Sequence, residues 1–253
     1  MRPNVVRQKL KSGGVVIGCF VGFPSAEVVE ILGHSGYDFV MIDAEHGPIS
    51  PHDAYHMVLA AEVTGTTPLI RVPRNDPSVI LRYMDIGAAG VMVPQVNTVE
   101  EARQVVAAVK YHPHGHRGLA QPRAATYGLG PTLTDYAAMA NAETLVIAQF
   151  ENIAALEHVP EILNVPGVDV LLVGPSDLAQ SMGYPGQLSH PEVVKVIDQV
   201  RDLCVKTDVA LGTIAPNADV TNRLIDQGYR MIAPSVSGMM AQWSRDYLAH
   251  VKR

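Results

Sequence analysis

The chain has little of what marks secreted, membrane-spanning or disulfide-linked proteins. Among 253 residues there are only two cysteines, Cys19 and Cys204, and they match no metal-binding or redox spacing. No apolar run approaches the roughly 18 residues that a membrane span needs. The polar N-terminal segment also lacks the apolar core of a signal peptide. These absences predict a soluble, cytoplasmic protein with reduced thiols.

An excess of positive charge is also missing. The sequence has 19 Lys and Arg against 25 Asp and Glu, which gives a formal net charge of -6. A nucleic acid or an anionic membrane surface is therefore not expected as a partner. The glycine-rich motifs that bind nucleotide phosphates do not occur either. The partners expected are small molecules.

What the chain does have is a regular alternation of short apolar runs with helical stretches. Hydrophobic residues make up 47% and charged residues 17%, enough for a full core in one α/β domain. Helix starts are marked by signals such as the capping box Thr98-x-x-Glu101, and Gly36 and Gly87 stand where helices should end. The eight runs predicted as strands are Val15–Phe20, Phe39–Ile42, Pro68–Val72, Gly90–Val93, Leu145–Phe150, Val168–Val173, Ala210–Ile214 and Arg230–Ala233.

Eight strands alternating with helices predict a single (β/α)8 barrel domain over residues 1–253, with a doubly wound open sheet as the alternative. Residues 111–141 are too rich in Gly and Pro for one regular element, and we expect an insertion lying over a barrel mouth. Residues from about 239 to 251 are expected to form a C-terminal helix.

Polar residues follow the predicted strands. The run from Phe39 ends abruptly in Asp43, Glu45 and His46, although such a run is typical of a strand buried on both faces. Barrel enzymes carry their active sites at the C-terminal ends of the strands, so these residues predict a catalytic site. The residues at the other strand ends are Arg71, Pro94, Gln95, Gln149, Glu151, Gly174, Pro175, Ser176 and Asp177.

Glu151 and Asp177 end adjacent predicted strands, so their carboxylates can converge on one hard divalent cation. Two protein ligands would leave positions open for water and substrate. Either acid could instead be the N-cap of the helix that follows it. The pairing on adjacent strands favours the metal site.

Arg71 closes a run of apolar residues, where a guanidinium is costly unless it meets an anion. A substrate carboxylate or enolate oxygen fits its donor fork, and a structural salt bridge with a neighbouring acid is the alternative. His46 can act as general acid or base near neutral pH, with a carboxylate such as Asp43 fixing its tautomer. Its place at a strand end separates it from the other nine histidines.

Lysine is missing from the predicted strands. An aldolase that works through an imine needs an amine inside the barrel, whereas Lys110 and the other lysines lie in helix-like stretches or near the termini. The sequence therefore disfavours an imine mechanism and favours a metal as the electron sink.

Several motifs occur together in one order. They are Ile42–Pro48 (IDAEHGP), Arg71–Pro77 (RVPRNDP), Val93-Pro94, Arg117-Gly118, Gln149–Glu151 (QFE), Gly174–Leu178 (GPSDL), Met182-Gly183-Tyr184 and His190-Pro191. Over nearly its full length the chain resembles the HpcH/HpaI family of class II, metal-dependent pyruvate aldolases. That family includes 4-hydroxy-2-oxoheptanedioate aldolase and 2-keto-3-deoxy-sugar-acid aldolases.

The resemblance implies a lyase that reversibly cleaves 4-hydroxy-2-oxo acids to pyruvate and an aldehyde, in aromatic or sugar acid catabolism. Oxaloacetate decarboxylation is an implied side activity. A divalent ion (Mg, Mn, Co, Zn or Ni) would be held by Glu151 and Asp177. Gln149 and the backbone of Gly174, Pro175 and Ser176, beside Asp177, would contact substrate. Arg71 would stabilise the enolate, and His46 would be the base.

The resemblance also implies a homohexamer, a trimer of dimers that exchange the C-terminal helix. The family pattern gives an aspartate matching Asp85 the task of raising the basicity of the histidine, yet Asp85 is expected at the opposite end of its own barrel. Either Asp85 reaches a neighbouring subunit's site, or Asp43 orients His46. A CoA-thioester lyase resembling the citrate lyase β-subunit, and a non-catalytic metabolite-binding barrel, are the alternative functions.

Overall fold

The computed structural model describes residues 2–252 as a closed barrel of eight parallel strands, each paired with the next in sequence. The strands are β1 (Val16–Val21), β2 (Phe39–Asp43), β3 (Thr67–Arg71), β4 (Gly90–Val93), β5 (Leu145–Phe150), β6 (Val170–Val173), β7 (Ala210–Ile214) and β8 (Met231–Ala233). Pairing of Val16 with Met231 and of Ile17 with Ile232 closes the ring. The predicted (β/α)8 barrel is confirmed, and each predicted run overlaps a strand.

Helices pack against the barrel, and most of them connect one strand to the next. They are α1 (Val5–Lys11), α2 (Ala26–His34), α3 (Pro51–Thr64), α4 (Pro77–Asp85), α5 (Val99–Val109), α6 (Leu133–Glu143), α7 (Val159–Ile162), α8 (Pro175–Ser181), α9 (Pro191–Cys204), α10 (Ala218–Asp226) and α11 (Val236–His250). Two 3-10 segments, Arg123–Gly128 and Ile153–His158, complete the connections. The capping box predicted at Thr98 and Glu101 starts α5.

The period-two alternation of the strands divides the core into two layers. Side chains that point outward pack beneath the helices, whereas Phe39, Met41, Leu69 and Ile147 belong to a separate cluster inside the barrel. This inner cluster fills the barrel, so the polar residues that follow it form the floor of a mouth at the C-terminal end.

The segment 111–141 lies at the opposite end from the mouth. It connects the C-terminus of α5 to the start of β5, and such a connection approaches the N-terminal ends of the strands. Arg123 in this segment donates to the Ile86 carbonyl and to Glu62, near the ends of α4 and α3. The prediction that it covers the active-site mouth was therefore wrong.

Both cysteines are buried and unpaired in thiol form. Burial raises the pKa of Cys19 and of Cys204 to about 12, so the reactive thiolate is disfavoured at either position. In residues 2–252 no helix is both long and apolar enough to cross a membrane.

The close approach of β4 to β5 depends on Gly90. A Cβ at this position would lie 2.5 Å from the Leu145 carbonyl oxygen, which is backbone and cannot swing away. We expect Gly90→Ala to lower the free energy of unfolding by about 1–3 kcal/mol through strand displacement. Gly22→Ala is the matched control, because nothing lies within 4 Å of a Cβ there. Urea unfolding of both variants checks this, and an equally small loss in both would contradict it.

Candidate active site

A buried ion pair between Arg71 and Asp43 forms the floor of the mouth. Arg71 Nε donates to Asp43 Oδ1 at 2.9 Å and Arg71 Nη2 donates to Asp43 Oδ2 at 2.5 Å. Both side chains are more than nine-tenths buried. Asp43 pairs with Arg71 in the β2–β3 register and continues the inward series of Phe39 and Met41. Strand alternation alone therefore aims both groups into the barrel.

The charge of Asp43 is stabilised from several directions. Burial by itself would raise the pKa of its carboxyl, but the Arg71 guanidinium and the backbone N–H groups of His46 and Glu45 outweigh burial and lower the pKa. The two amides donate to Oδ1 at 3.2 and 3.1 Å respectively. Asp43 therefore fixes both the guanidinium and the turn that follows β2.

Glu45 and His46 lie on that turn. Glu45 Oε2 is 3.2 Å from Arg71 Nη1 and 3.9 Å from His46 Nε2. The turn is tight at Gly47, where a Cβ would lie 2.5 Å from the Asp43 carbonyl oxygen. The His46 side chain is 59% exposed and faces solvent at the mouth, whereas that of Glu45 is 17% exposed. Asp43 contacts the backbone of His46 and not its ring.

Glu151, just after β5, is held at both oxygens. The Gln95 backbone N–H donates to Oε1 at 2.8 Å, and the Gln149 side-chain amide donates to Oε2. Gln95 adopts φ 54°, a left-handed conformation that is costly for a residue with a Cβ. In this conformation the Gln95 N–H points toward Glu151 and donates to it. Sequence reasoning placed Gln95 at a strand end but missed this role, and no sequence signal predicts it.

Asp177 lies in the first turn of α8, where the positive end of the helix dipole favours a carboxylate. Gly174 is the N-cap of α8, and Asn152 is the N-cap of the 3-10 segment after Glu151. Neither Glu151 nor Asp177 is therefore the N-cap of the helix that follows it. A Cβ on Gly174 would lie 3.0 Å from Gln149 Nε2 and 3.1 Å from Glu151 Oε2. Glycine thus lets the start of α8 approach these groups.

The carboxylates at the mouth raise one another's proton affinity. Burial, followed by the charges of Glu45 and Asp177, raises the pKa of Glu151 to about 7, although the Gln95 amide and Arg71 oppose this. Burial, together with Asp43 and Asp177, raises the pKa of Glu45 to about 6 against the effect of Arg71. Four carboxylates facing one guanidinium make a site that favours a bound cation.

The donor set of the mouth fits a hard divalent ion. Glu151 and Asp177 supply carboxylate oxygens, and Gln149 Oε1 is buried without a hydrogen-bond partner. Within residues 2–252 no group of three or more His, Cys, Asp or Glu side chains is arranged to hold a metal. An ion held by Glu151 and Asp177 would complete its coordination with water and substrate oxygens, as hard cations in substrate sites do.

Asp85 is the one predicted site residue that the structure places elsewhere. It ends α4 at the N-terminal end of the barrel, and Arg117 Nη2 donates to its Oδ1 at 2.6 Å. Within one chain Asp85 and His46 are at opposite ends, so a contact between them would need a second subunit. Pro175 and Ser176 open α8 beside Asp177.

Comparison with known families decides where the chain belongs. Residues 16–242, which include every strand and all of the mouth residues, match the family described as HpcH/HpaI aldolase/citrate lyase. The chain belongs to this family. Membership agrees with the motifs that the sequence carries at its strand ends.

Characterised members of the HpcH/HpaI family are similar along most of the chain. A 2-dehydro-3,6-dideoxy-6-sulfogluconate aldolase from Pseudomonas putida is 36% identical over 245 residues, 96% of this chain and 95% of that protein. The 2-keto-3-deoxy-L-rhamnonate aldolase of Escherichia coli K12 is 35% identical, covering 94% and 88%.

A solved HpcH/HpaI aldolase/citrate lyase family structure from Burkholderia cenocepacia superposes with a TM-score of 0.93 at 32% identity, covering 99% of this chain and all of that one. The curated relatives are aldolases, and together with the family match they support a carbon–carbon lyase.

Removing one partner of the buried Asp43–Arg71 pair should destabilise the protein strongly. We expect Asp43→Asn to lower the free energy of unfolding by about 3–5 kcal/mol at neutral pH, because it removes the counterion that binds the buried guanidinium through two hydrogen bonds and leaves only Glu45 beside it. Since the folded pKa of Asp43 lies below its ordinary value, its contribution is present above the unfolded pKa and is lost as pH falls through the folded one.

The difference between the wild type and Asp43→Asn should therefore shrink in acid. Denaturant unfolding at neutral and acidic pH measures it. Asp198→Asn is the control, because Asp198 pairs with Arg201 on the surface and its side chain is 47% exposed, which predicts a loss of about 0–1 kcal/mol. A neutral-pH loss for Asp43→Asn no larger than that of the control would contradict the expectation.

Proposed function

We propose that this protein is a class II aldolase that cleaves 4-hydroxy-2-oxo acids reversibly to pyruvate and an aldehyde. One observation carries the proposal: a guanidinium suited to an anion and two carboxylates suited to a divalent ion lie at one barrel mouth. The similarity to aldolases of 2-keto-3-deoxy sugar acids favours a substrate of that chemical class.

Each residue has a role in this mechanism. Glu151 and Asp177 would hold the divalent ion, one of Mg, Mn, Co, Zn or Ni, which would supply the Lewis acidity that makes the methyl protons of pyruvate removable. Gln149 and the backbone from Gly174 to Ser176 orient the pyruvate. Arg71, preorganised by Asp43, stabilises the developing enolate charge without having to reorient during the reaction.

His46 is the general base of the proposed reaction. Its ring is exposed at the mouth near Glu45, where it can reach a methyl group or a water that relays the proton. In the synthetic direction the enolate carbon attacks the aldehyde, and a proton passes to the new alkoxide. The cleavage direction reverses these steps. Oxaloacetate decarboxylation passes through the same enolate and is proposed as a side activity.

Deuterium exchange into pyruvate tests this proposal without knowledge of the aldehyde. With a divalent metal in D2O, we expect the methyl protons to exchange, and a chelator should abolish the exchange. Glu151→Gln should lower the rate at least about 100-fold, because the metal loses one of two protein ligands. NMR of the methyl signal measures the rate.

Asp198→Asn is the control for the exchange measurement, because its surface pair lies on α9, outside the proposed site. It should keep the wild-type rate. Absence of exchange in the wild type with every divalent metal tried would overturn the aldolase proposal and favour a non-catalytic metabolite-binding barrel.

We also propose a homohexamer, a trimer of dimers that exchange α11. Along α11 the apolar side chains Met240, Trp243 and Tyr247 are exposed in the single chain, and Trp243 stacks on Tyr247 at a centroid distance of 5.5 Å. An apolar face of this kind is typical of a helix that packs on a second subunit.

Trp243 is the sole tryptophan and reports on this packing. We expect blue-shifted fluorescence in the native protein, since subunit contact would remove the indole from water. Trp243→Glu should convert the hexamer to smaller species in light scattering, whereas Val205→Glu, an exposed site outside α11, should not. A red, solvent-like emission together with a monomeric mass for the wild type would contradict the assembly.

A further inference from the structure

A cleft on the outside of the barrel is lined by nitrogen bases. This α5 cleft has a volume of about 550 Å³ and lies beside the segments that lead into β5 and β6. Its bases are Arg7 from α1, Arg103 from α5, Lys110 at the C-cap of α5 and His114 just beyond. Among residues 2–252 no Asp or Glu side chain lines the cleft, although acids outnumber Lys and Arg in the chain as a whole. The lining is therefore suited to an anion.

Part of the wall of the α5 cleft is apolar. It is formed by Val106 of α5 and by Val165, Pro166 and Gly167, which belong to the loop that enters β6. A Cβ on Gly167 would lie 2.8 Å from Val106 Cγ1. Glycine thus lets the loop pack directly against α5, and the cleft has a closely packed wall beside its cations.

Lys110 is the buried cation of the α5 cleft. The residue is 4% exposed, and its Nζ donates to the carbonyl oxygens of Asn141 at 3.0 Å and Thr144 at 2.6 Å. An ammonium has three N–H donors, so within residues 2–252 one donor of Lys110 is left without an acceptor. In the same part of the chain Lys9 and Lys195 form ion pairs with carboxylates, and Lys110 does not.

Helix capping explains only part of this arrangement. Asn141 lies in the last turn of α6 and Thr144 is its C-cap, so the ammonium of Lys110 meets the negative end of the helix dipole. The two carbonyls carry only partial charges, however, and a buried ammonium is costly without a full counterion. Capping therefore accounts for two of the three donors and leaves the charge unpaired.

The groups that face Lys110 do not supply that counterion. Burial, the largest effect, lowers the pKa of Lys110 to about 8, and Arg7 and Lys11 of α1 act in the same direction, whereas Asp169 and Glu143 oppose them. Both acids are engaged elsewhere: Asp169 Oδ1 lies 2.8 Å from Arg7 Nη2, and Glu143 Oε2 accepts from the backbone at the start of α1. An anion in the cleft would provide the missing charge.

Two guanidinium groups bring further donors to the α5 cleft. Arg7 uses its Nη atoms on Asp169 and on the Ala142 carbonyl, while its Nε is buried without a hydrogen-bond partner. Arg103 is 62% exposed and pairs with Glu100 one turn earlier on the surface of α5, at 2.9 Å. Surface pairs of this kind are weak, so the Arg103 guanidinium can turn to a ligand at small cost.

We propose that the α5 cleft is an anion-binding site that takes the phosphate group of a small phosphorylated molecule. The oxygens of a phosphate group point apart, which suits donors that arrive from α1, from the end of α5 and from its exposed face. A planar carboxylate would engage fewer of them. The volume of the cleft is in the range of ligand sites, and its apolar wall can contact an organic substituent. The site lies away from the barrel mouth and does not depend on the proposed aldolase function.

NMR of the Lys110 Cε group tests the site directly, with inorganic phosphate as the probe. We expect this signal, assigned by its loss in Lys110→Arg, to titrate near pH 8 in phosphate-free buffer. Phosphate should move the midpoint upward by about 1 unit, because a neighbouring anion favours the charged ammonium. Chloride at equal ionic strength is the control, since it screens charges without filling the site. An unchanged midpoint in phosphate, or the same shift in chloride, would overturn the proposal.

Calorimetric titration of two variants with inorganic phosphate locates the binding. Arg103→Gln should raise the Kd about 5- to 10-fold, because it removes a charged donor at an exposed position where the fold is not at risk. Lys195→Gln is the matched control, since it removes one positive charge from a surface i,i+3 pair on α9 and should change the Kd less than about 2-fold. Equal weakening in both variants would indicate screening alone, and an unchanged Kd in Arg103→Gln would place the phosphate elsewhere. Either result would overturn the proposal.

An alkyl phosphate separates an organic ligand from free phosphate. The apolar wall predicts that propyl phosphate binds the wild type about 3- to 10-fold more tightly than inorganic phosphate, because its methylene groups leave water for Val106, Val165 and Pro166. Arg103→Gln should weaken both ligands by the same factor. Tighter binding of inorganic phosphate would overturn the organic part of the proposal and assign the cleft to free phosphate. Failure of both to bind would overturn the anion site itself.

Discussion

The buried guanidinium of Arg71 is the constraint on which the rest of the mouth depends. A cation inside a barrel is tolerated only with counterions at contact distance, and Asp43 and Glu45 supply them. Once Asp43 is fixed by Arg71, its Oδ1 fixes the turn that carries Glu45 and His46. The ring of Phe20, 5.3 Å from the guanidinium, covers a further side of it. The positions of these mouth residues therefore depend, directly or through Asp43, on the charge of Arg71.

That order also sets the charge around the acids that are proposed to hold a metal. The mouth brings four carboxylates, those of Asp43, Glu45, Glu151 and Asp177, to one guanidinium, so Glu151 and Asp177 face a region of net negative charge. Holding Glu151 with two donors, the Gln95 amide and the Gln149 side chain, directs its oxygens without cancelling its charge. Geometry and charge are thus supplied by different residues.

Much of this could be predicted from the sequence, because two simple regularities govern it. Strand alternation carries the inward series from Phe39 through Met41 to Asp43, and strand ends meet at one face of a barrel. What the sequence could not predict is which acid pairs with Arg71 and through which atoms. The sequence indicates that Arg71 needs an anion. It does not show that Asp43 accepts from both Nε and Nη2 of Arg71 and therefore does not contact the His46 ring.

The error over residues 111–141 has a different origin. The Gly and Pro content of a segment does not determine where it lies, whereas its connections do: a segment that leaves a helix and enters a strand of this barrel lies at the N-terminal end. There its arginines pair with Glu62 and Asp85, far from the chemistry. The charges at the two ends of the barrel thus differ. At the N-terminal end each of these arginines pairs with one acid, whereas at the C-terminal end the acids outnumber the single arginine.

The strained backbone at Gln95 has a consequence for how the site can vary. Its side chain is exposed, while the contact to Glu151 is made by its main-chain N–H. Every amino acid except proline carries that N–H, so side-chain replacement cannot delete the bond and can only alter the cost of the left-handed turn. One contact of this site is thus made by the backbone. Alanine scanning does not detect such a contact, and most substitutions at this position preserve it.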